Sequence, residues 1–126
     1  MRILIVDDDP EVAKTLMKSI EYRGAEVKVF DTAMEARKHV EWADAVICDG
    51  TFPLEAGKEP SHCWLVVATQ AIRYEKPFIV LSGDETVCAQ ARKAGFTAFC
   101  KGSTRIAAVW AALKEAINKS LDKPNV

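Results

Sequence analysis

Long apolar runs are missing from this sequence. Stretches such as Ile3–Val6 and Trp64–Ala68 fall far short of the roughly 20 consecutive apolar residues that a bilayer-spanning helix needs. An excess of either charge is missing too: 17 Lys and Arg stand against 18 Asp and Glu, for a formal charge of −1. That balance removes any general electrostatic attraction to nucleic acid or to an anionic membrane. Glycine is scarce, at six residues, and no Gly-rich phosphate loop follows the first apolar run. A flavin or dinucleotide carrier of the usual kind is therefore disfavoured. The four cysteines, Cys48, Cys63, Cys88 and Cys100, show no C-x-x-C spacing. In a reducing compartment they read as small buried hydrophobes rather than a disulfide frame; zinc held by His62 and Cys63 with a third ligand elsewhere is the weaker alternative. The N-terminus has one basic residue, four apolar ones and then three aspartates. That is not the pattern of a secretory signal, and the expected address is the cytoplasm.

What is present is a regular alternation. At 126 residues and 49% hydrophobic content, the chain is long enough for one domain with a single core. Strands are predicted at Ile3–Val6, Glu26–Phe30, Ala45–Cys48, Phe78–Leu81 and Ala98–Lys101, most of them rich in Val, Ile and Phe. Helices are predicted between and after them. The first runs from Pro10 to Arg23, with Asp9 as cap, Pro10 at the first helical position and Gly24 at the exit. Its Val12, Leu16 and Ile20 make one apolar stripe. Thr32 and Glu35 suggest a capping box for a second helix reaching Val40. The others are predicted over Ser61–Arg73, Glu85–Ala94 (capped by Asp84) and Thr104–Leu121. Strands alternating with helices at this spacing imply parallel pairing through right-handed crossovers. The strands start at 3, 26, 45, 78 and 98, so the third interval is the longest. Its surplus lies where Pro53, Gly57 and Pro60 break regularity, which places an enlarged loop after the third strand. Residues 122–126 carry a proline and no periodicity, as in a frayed tail or linker stub.

In open parallel α/β sheets, ligands bind outside the carboxyl ends of the strands. Here the first strand ends in Asp7, Asp8 and Asp9, the third in Asp49, the fourth in Ser82 and Gly83, and the fifth in Lys101. Taken singly, each has an ordinary explanation: a helix cap, a solvated loop acid, a turn, a surface charge. Acid, acid, hydroxyl and ammonium at four strand ends together point to one site. Carboxylates crowded there repel each other strongly unless a cation joins them, and an all-oxygen donor set suits Mg²⁺ rather than zinc.

The residues Ile3-Leu-Ile-Val-Asp-Asp-Asp-Pro10, Val46-Ile-Cys-Asp-Gly-Thr-Phe-Pro53 with Gly57 beyond it, Phe78-Ile-Val-Leu-Ser-Gly83, and Ala94-Gly95 followed by Phe99 and Lys101 occur in the order and spacing of a known family. Over residues 1–121 the chain resembles the receiver domain of two-component response regulators, of the single-domain, chemotaxis-regulator-like kind. The resemblance implies a flavodoxin-like, doubly wound five-stranded parallel sheet of order 2-1-3-4-5 with five helices in three α/β/α layers. It implies that Asp49 accepts a phosphoryl group from a sensor histidine kinase or phosphotransfer protein. Asp8, Asp49 and the Thr51 backbone carbonyl would hold Mg²⁺, with Asp7 acting through a bound water. Lys101 and the backbone N–H groups of Gly50, Thr51 and Gly83 would meet phosphoryl oxygens. Ser82 would swing toward the phosphate and Phe99 would turn into the vacated space, changing the surface of the last two strand–helix units for a downstream protein target. The domain would be no turnover enzyme, catalysing only its own phosphorylation and dephosphorylation. No nucleic-acid or membrane partner is implied, and a homodimer would use the fourth and fifth helices.

Three features depart from the family pattern. Gly102 follows Lys101 where the family usually has proline, often after a cis peptide bond. The approach from Gly95 to Lys101 is one residue short, so Phe99 lies two residues before the lysine rather than three; strand side chains alternate faces, so both residues keep their customary orientations only if the backbone bulges. Phe99 also lacks the hydroxyl of the tyrosine often found there. An alternative function follows from these departures: a pseudo-receiver that binds proteins without using phosphate. A hydrolase of the haloacid-dehalogenase type is suggested only by Asp49-Gly-Thr51, and Ile47 stands where its nucleophilic aspartate belongs.

Overall fold

Apolar residues on successive positions of the central strands mark segments buried on both faces, as parallel sheets require. The computed structural model describes residues 1–121 and shows that arrangement; the expected tail, 122–126, lies outside the described residues. Strands β1 (Arg2–Val6), β2 (Glu26–Phe30), β3 (Ala45–Cys48), β6 (Phe78–Ser82) and β7 (Thr97–Cys100) form one sheet of order β2-β1-β3-β6-β7, all of it parallel. This is the 2-1-3-4-5 order of a flavodoxin-like fold.

Alternation along the strands divides the core in two. Leu4, Val6, Val46, Cys48, Phe78 and Val80 face one side, under α2 (Ala33–Ala36), α3 (Trp64–Arg73) and α4 (Glu85–Lys93). Ile3, Ile5, Ala45, Ile47 and Ile79 face the other, where Leu16 and Ile20 of α1 (Pro10–Tyr22) meet Val109, Leu113 and Ile117 of α5 (Ile106–Leu121). The first helix follows the pattern read from its sequence. Asp9 accepts hydrogen bonds from the amides of Glu11 (3.0 Å) and Val12 (3.3 Å), and Gly24 leaves the helix at φ +95°, a conformation that favours glycine.

Two elements differ from expectation. The second helix is one turn long, and Arg37–His39 continues it as a 3-10 turn, the tighter geometry that often closes a helix. Thr32 caps it through the Glu35 amide at 3.3 Å, but the Glu35 carboxylate pairs with Lys38 instead of completing a capping box. The enlarged loop after β3 is not irregular: Phe52–Pro53 (β4) and Pro60–Ser61 (β5) pair antiparallel. Two prolines can face each other in this isolated pair because neither has to donate to a wider ladder. The pairing consumes the first turn predicted for α3, which therefore starts at Trp64. It also inserts Phe52, fully buried, into the core under α3.

Truncating a well-packed core residue removes its transfer free energy and leaves a cavity. Leu113→Ala, at 0% exposure on α5, is expected to lower unfolding free energy by about 2–5 kcal/mol. Ile72→Ala, at 65% exposure, is expected to change it by less than about 0.5 kcal/mol. Urea denaturation of the two variants checks the division between core and surface.

Candidate functional site

The order of the large sheet makes β1 and β3 neighbours while the chain leaves them in opposite directions, which opens a crevice at their carboxyl ends. The β1–β3 register ends at Val6↔Cys48, so Asp7 and Asp49 come next in line on adjacent strands. Backbone bonds hold both in place: the Asp7 amide donates to the Phe30 carbonyl (3.1 Å) and the Asp49 amide to the Val6 carbonyl (2.8 Å). Across the sheet, the Lys101 amide donates to the Ser82 carbonyl at 2.9 Å. The structure thus brings together side chains far apart in sequence. Lys101 Nζ lies 2.8 Å from Asp7 Oδ2 and 3.2 Å from Asp49 Oδ1, and one carboxylate oxygen from each of Asp7, Asp8 and Asp49 lies within 4.8 Å of the other two.

These charges sit in a partly dry rim. The side chains of Asp7, Asp49 and Lys101 are 4%, 11% and 25% exposed. Burial, reinforced by the neighbouring Asp7 charge, pushes the Asp49 carboxyl up to about 6; Lys101 and the Gly50 amide, 2.7 Å from Asp49 Oδ1, pull against that rise. Burial also raises Asp8 above its ordinary value, with Asp7 adding to the effect. For Lys101, burial acts to lower the pKa, but the hydrogen bond to Asp7 and the charges of Asp49 and Asp7 outweigh it, and the ammonium is held above its ordinary value. One cation thus faces three acids, so the cluster retains an excess of negative charge that favours protonation or a further cation. Three carboxylates offer only hard oxygen donors, the set that fits a small divalent ion such as Mg²⁺. Oxygens bonded to one such ion at about 2.1 Å stand no more than about 4.2 Å apart, so the trio, within 4.8 Å, would draw closer to share it. Asp9 is taken up as the cap of α1, while His62 and Cys63 join no ligand group: among the described residues, the acid trio is the only cluster of three or more such side chains.

Ser82 reaches the same rim from β6. It is 2% exposed, and its hydroxyl accepts the Asp84 amide at 3.1 Å. The position opposite it explains why residue 50 is glycine. A Cβ on Gly50 would stand 2.7 Å from Ser82 Oγ and 2.5 Å from Val87 Cγ1, so only a residue without a side chain lets the backbone after Asp49 approach the hydroxyl and α4. The sequence assigns Gly50 only a backbone N–H role, or an ordinary turn, and carries no sign of this steric requirement, which involves residues distant in the chain. Thr51 links Gly50 to the buried Phe52, and Gly83 lies where an added Cβ would meet nothing within 4 Å.

Phe99 departs from its expected place. Strand β7 pairs with β6 without a bulge, Leu81 opposite Phe99 and Ser82 opposite Cys100. Phe99 therefore packs with Leu81 against the α1–α5 side, whereas Cys100 shares the α4 side with Ser82. The missing residue before Lys101 is the cause. Side chains alternate, so the shortened strand brings Lys101 to the acids only by turning Phe99 to the opposite face from Ser82. The following turn uses Gly102 at φ +84°, and no peptide bond among the described residues is cis. In place of an aromatic ring, Ser82 has a thiol neighbourhood: Cys88 Sγ lies 3.6 Å from the Ser82 carbonyl and 3.7 Å from Cys100 Sγ. Residue parity in β7 was the available signal, and it pointed to Cys100 as the residue facing α4.

No protein-family model matches the chain, and no curated protein matches it either. Solved structures do. A CheY-like response regulator receiver domain protein from Methanospirillum hungatei JF-1 superposes with a TM-score of 0.77 at 21% identity, covering 98% of both chains. A response regulator receiver domain protein from Clostridium thermocellum gives 0.75 at 23% identity, over 95% of this chain and 96% of that one. The BeF3-activated N-terminal receiver domain of Klebsiella pneumoniae RstA gives 0.74 at 20% identity, over 93% and 98%. The chain therefore has the fold of response regulator receiver domains.

Two outcomes test the site geometry. Because the Asp49 carboxyl is pushed up to about 6 in the folded protein, well above the roughly 3.9 of a free aspartate, the folded protein holds this proton more tightly than the unfolded chain. The associated stabilisation is present below about pH 4 and is lost as pH rises through 6. In chelator, Asp49→Asn is thus expected to exceed wild type in stability at pH 7 by about 1–2 kcal/mol, a value reduced for solvent screening. The advantage should vanish by about pH 4; an equal gain at both pH values in denaturant titrations would contradict the raised carboxyl. Gly50→Ala is expected to lose about 1–3 kcal/mol by overpacking against Val87 and Ser82. Gly83→Ala, with open space around its Cβ, should lose less in the same assay.

Proposed function

We propose that this domain is a phosphorylation-dependent signalling switch in which Asp49 accepts a phosphoryl group from a histidine kinase or phosphotransfer protein. The observation that carries the reading is the convergence of Asp7, Asp8, Asp49 and Lys101 at one rim of a receiver fold. Asp49 is the nucleophile: a carboxylate oxygen attacks phosphorus, an acyl phosphate forms, and the bond to the donor's leaving group breaks. At pH 7 its pKa of about 6 still leaves most of the carboxylate ionised. Lys101, already 3.2 Å from Asp49 Oδ1, pairs with a phosphoryl oxygen as a point charge. Asp8, Asp49 and the Thr51 carbonyl would hold Mg²⁺, with Asp7 acting through water. When bound, the ion would neutralise charge on the entering phosphoryl oxygens. Backbone N–H groups of Gly50, Thr51 and Gly83 supply further donors, the Gly50 amide after releasing Asp49 Oδ1. Ser82 Oγ, beside the Gly50 backbone, is the hydroxyl placed to bond the modified side chain by leaving the Asp84 amide.

The consequence falls on α4 and on the loops after β6 and β7. Phosphorylation of a side chain adds about −1.5 to −2 charges, and Ser82 carries that change to the Gly83–Asp84 turn that caps α4. In this reading the domain is no turnover enzyme and signals by docking a downstream protein through its last two strand–helix units, or by passing the phosphate on.

A second reading, the pseudo-receiver, is favoured by one observation: Phe99 faces away from Ser82, so the aromatic partner of the hydroxyl is missing from its usual side. Acetyl phosphate with Mg²⁺ separates the two readings. Wild type is expected to gain one phosphoryl group by intact mass, with loss on chelation and no gain in Asp49→Asn, whose fold is kept. A wild type that stays unmodified under acetyl phosphate, and unchanged in spectrum with beryllofluoride and Mg²⁺, would establish the pseudo-receiver reading instead.

A further inference from the structure

We propose that Cys88 and Cys100 form a reversible disulfide under mild peroxide, a redox modification site that ties β7 to α4 beside Ser82. The two sulfurs are 3.7 Å apart, with the Cys100 thiol directed at Cys88; a disulfide needs about 2.05 Å. The movement that closes this gap falls to Cys100, because Cys88 is fixed in a packed helix. Cys100 is the last residue of β7 and is followed within two residues by Gly102, while Cys88 lies mid-helix on the buried face of α4. Their accessibilities are unequal: Cys88 is 1% exposed, and Cys100 is half-buried at the rim. The arrangement resembles a peroxide-facing thiol with a resolving thiol behind it. The other two cysteines are engaged elsewhere, Cys48 donating to the Asp49 carbonyl at 3.3 Å and Cys63 to the Phe52 carbonyl at 3.1 Å.

The chemistry closes with hydrogen peroxide as the oxidant. The Cys100 thiolate attacks one peroxide oxygen, the O–O bond breaks and hydroxide leaves, giving a sulfenic acid. Cys88 sulfur then attacks Cys100 sulfur, the S–S bond forms, the S–O bond breaks, and hydroxide departs with the thiol proton as water. Two thiols lose two electrons and two protons in all, and one peroxide becomes two waters. Burial and the adjacent Cys100 hold the Cys88 thiol above its ordinary pKa, which disfavours it as the thiol that meets peroxide; its place beside Cys100 Sγ is what assigns it the second step. Before oxidation, the Cys88 thiol lies 3.6 Å from each of the Ser82 and Phe99 carbonyls and so already spans the ends of β6 and β7. The inference needs only these two thiols and stands apart from the phosphoryl reading.

The test uses the intact protein. After treatment with dilute hydrogen peroxide and removal of excess, thiols titratable in denaturant are expected to fall from four to two and to return to four with dithiothreitol. Trypsin cuts at Arg92 and Lys93, between the two cysteines, so a non-reducing digest should yield one linked pair of peptides carrying Cys88 and Cys100. Cys100→Ser should keep its three thiols under the same dose, and Cys88→Ser should stop at a sulfenic acid trapped by dimedone. Hydrogen exchange in Glu85–Lys93 should slow in the oxidised wild type. Retention of four thiols, a linkage involving Cys48 or Cys63, a disulfide between two chains, or direct passage of Cys100 to sulfinic acid would overturn the proposal.

Discussion

Lys101 holds Asp7 and Asp49 at the end of the sheet, and the rest of the molecule can be understood from that pairing. Three carboxylates within 4.8 Å of one another would repel by several kcal/mol in a poorly hydrated rim, and a single ammonium offsets only part of this. The sheet tolerates the residue of negative charge because its two large apolar layers fix the strand ends where they are. The remaining imbalance is also what makes the site chemically useful. A carboxyl raised by burial and by a like charge, next to a fixed cation, would lose part of its repulsion on the arrival of a divalent ion.

The link from that rim to the surface runs through contacts too close for any side chain at position 50. Gly50 admits Ser82 and Val87 to the backbone of the loop after Asp49, and the Ser82 hydroxyl in turn accepts the amide of the residue that caps α4. A change at Asp49 therefore has a short physical path to the start of α4. On the other side of Ser82 the path differs from the expected one. Thiols at Cys88 and Cys100 occupy the space between α4 and β7, and the ring of Phe99 lies in the α1–α5 layer. The groups that fill this space are smaller and softer than an aromatic ring.

Both helices whose ends were misjudged, the second and the third, fail for identifiable reasons. Nothing in Thr32–Val40 foretells the 3-10 turn, in which His39 stacks on Phe30 at 4.3 Å between ring centroids; that contact depends on the neighbouring strand. Pro60–Ser61 has no strand pattern of its own and pairs only because Phe52 is drawn into the core opposite it. Such short elements are made by packing, and local propensity carries almost no trace of them.

The sequence by itself determined the alternation of strand and helix, the caps Asp9 and Asp84, and the location of Asp7, Asp8, Asp49, Ser82 and Lys101 at strand ends, because hydrophobic period and capping chemistry are local properties. It also contained, in the spacing of Phe99 and Lys101, the conflict that one of them had to lose. Tertiary structure alone decided which: parallel pairing of β7 with β6 aligned Ser82 with Cys100, and Lys101 reached the acids across the sheet. Facing, distance and protonation depend on residues brought together from opposite ends of the chain, so the crowding that lifts Asp49, the steric need for Gly50 and the meeting of two thiols are set by the fold.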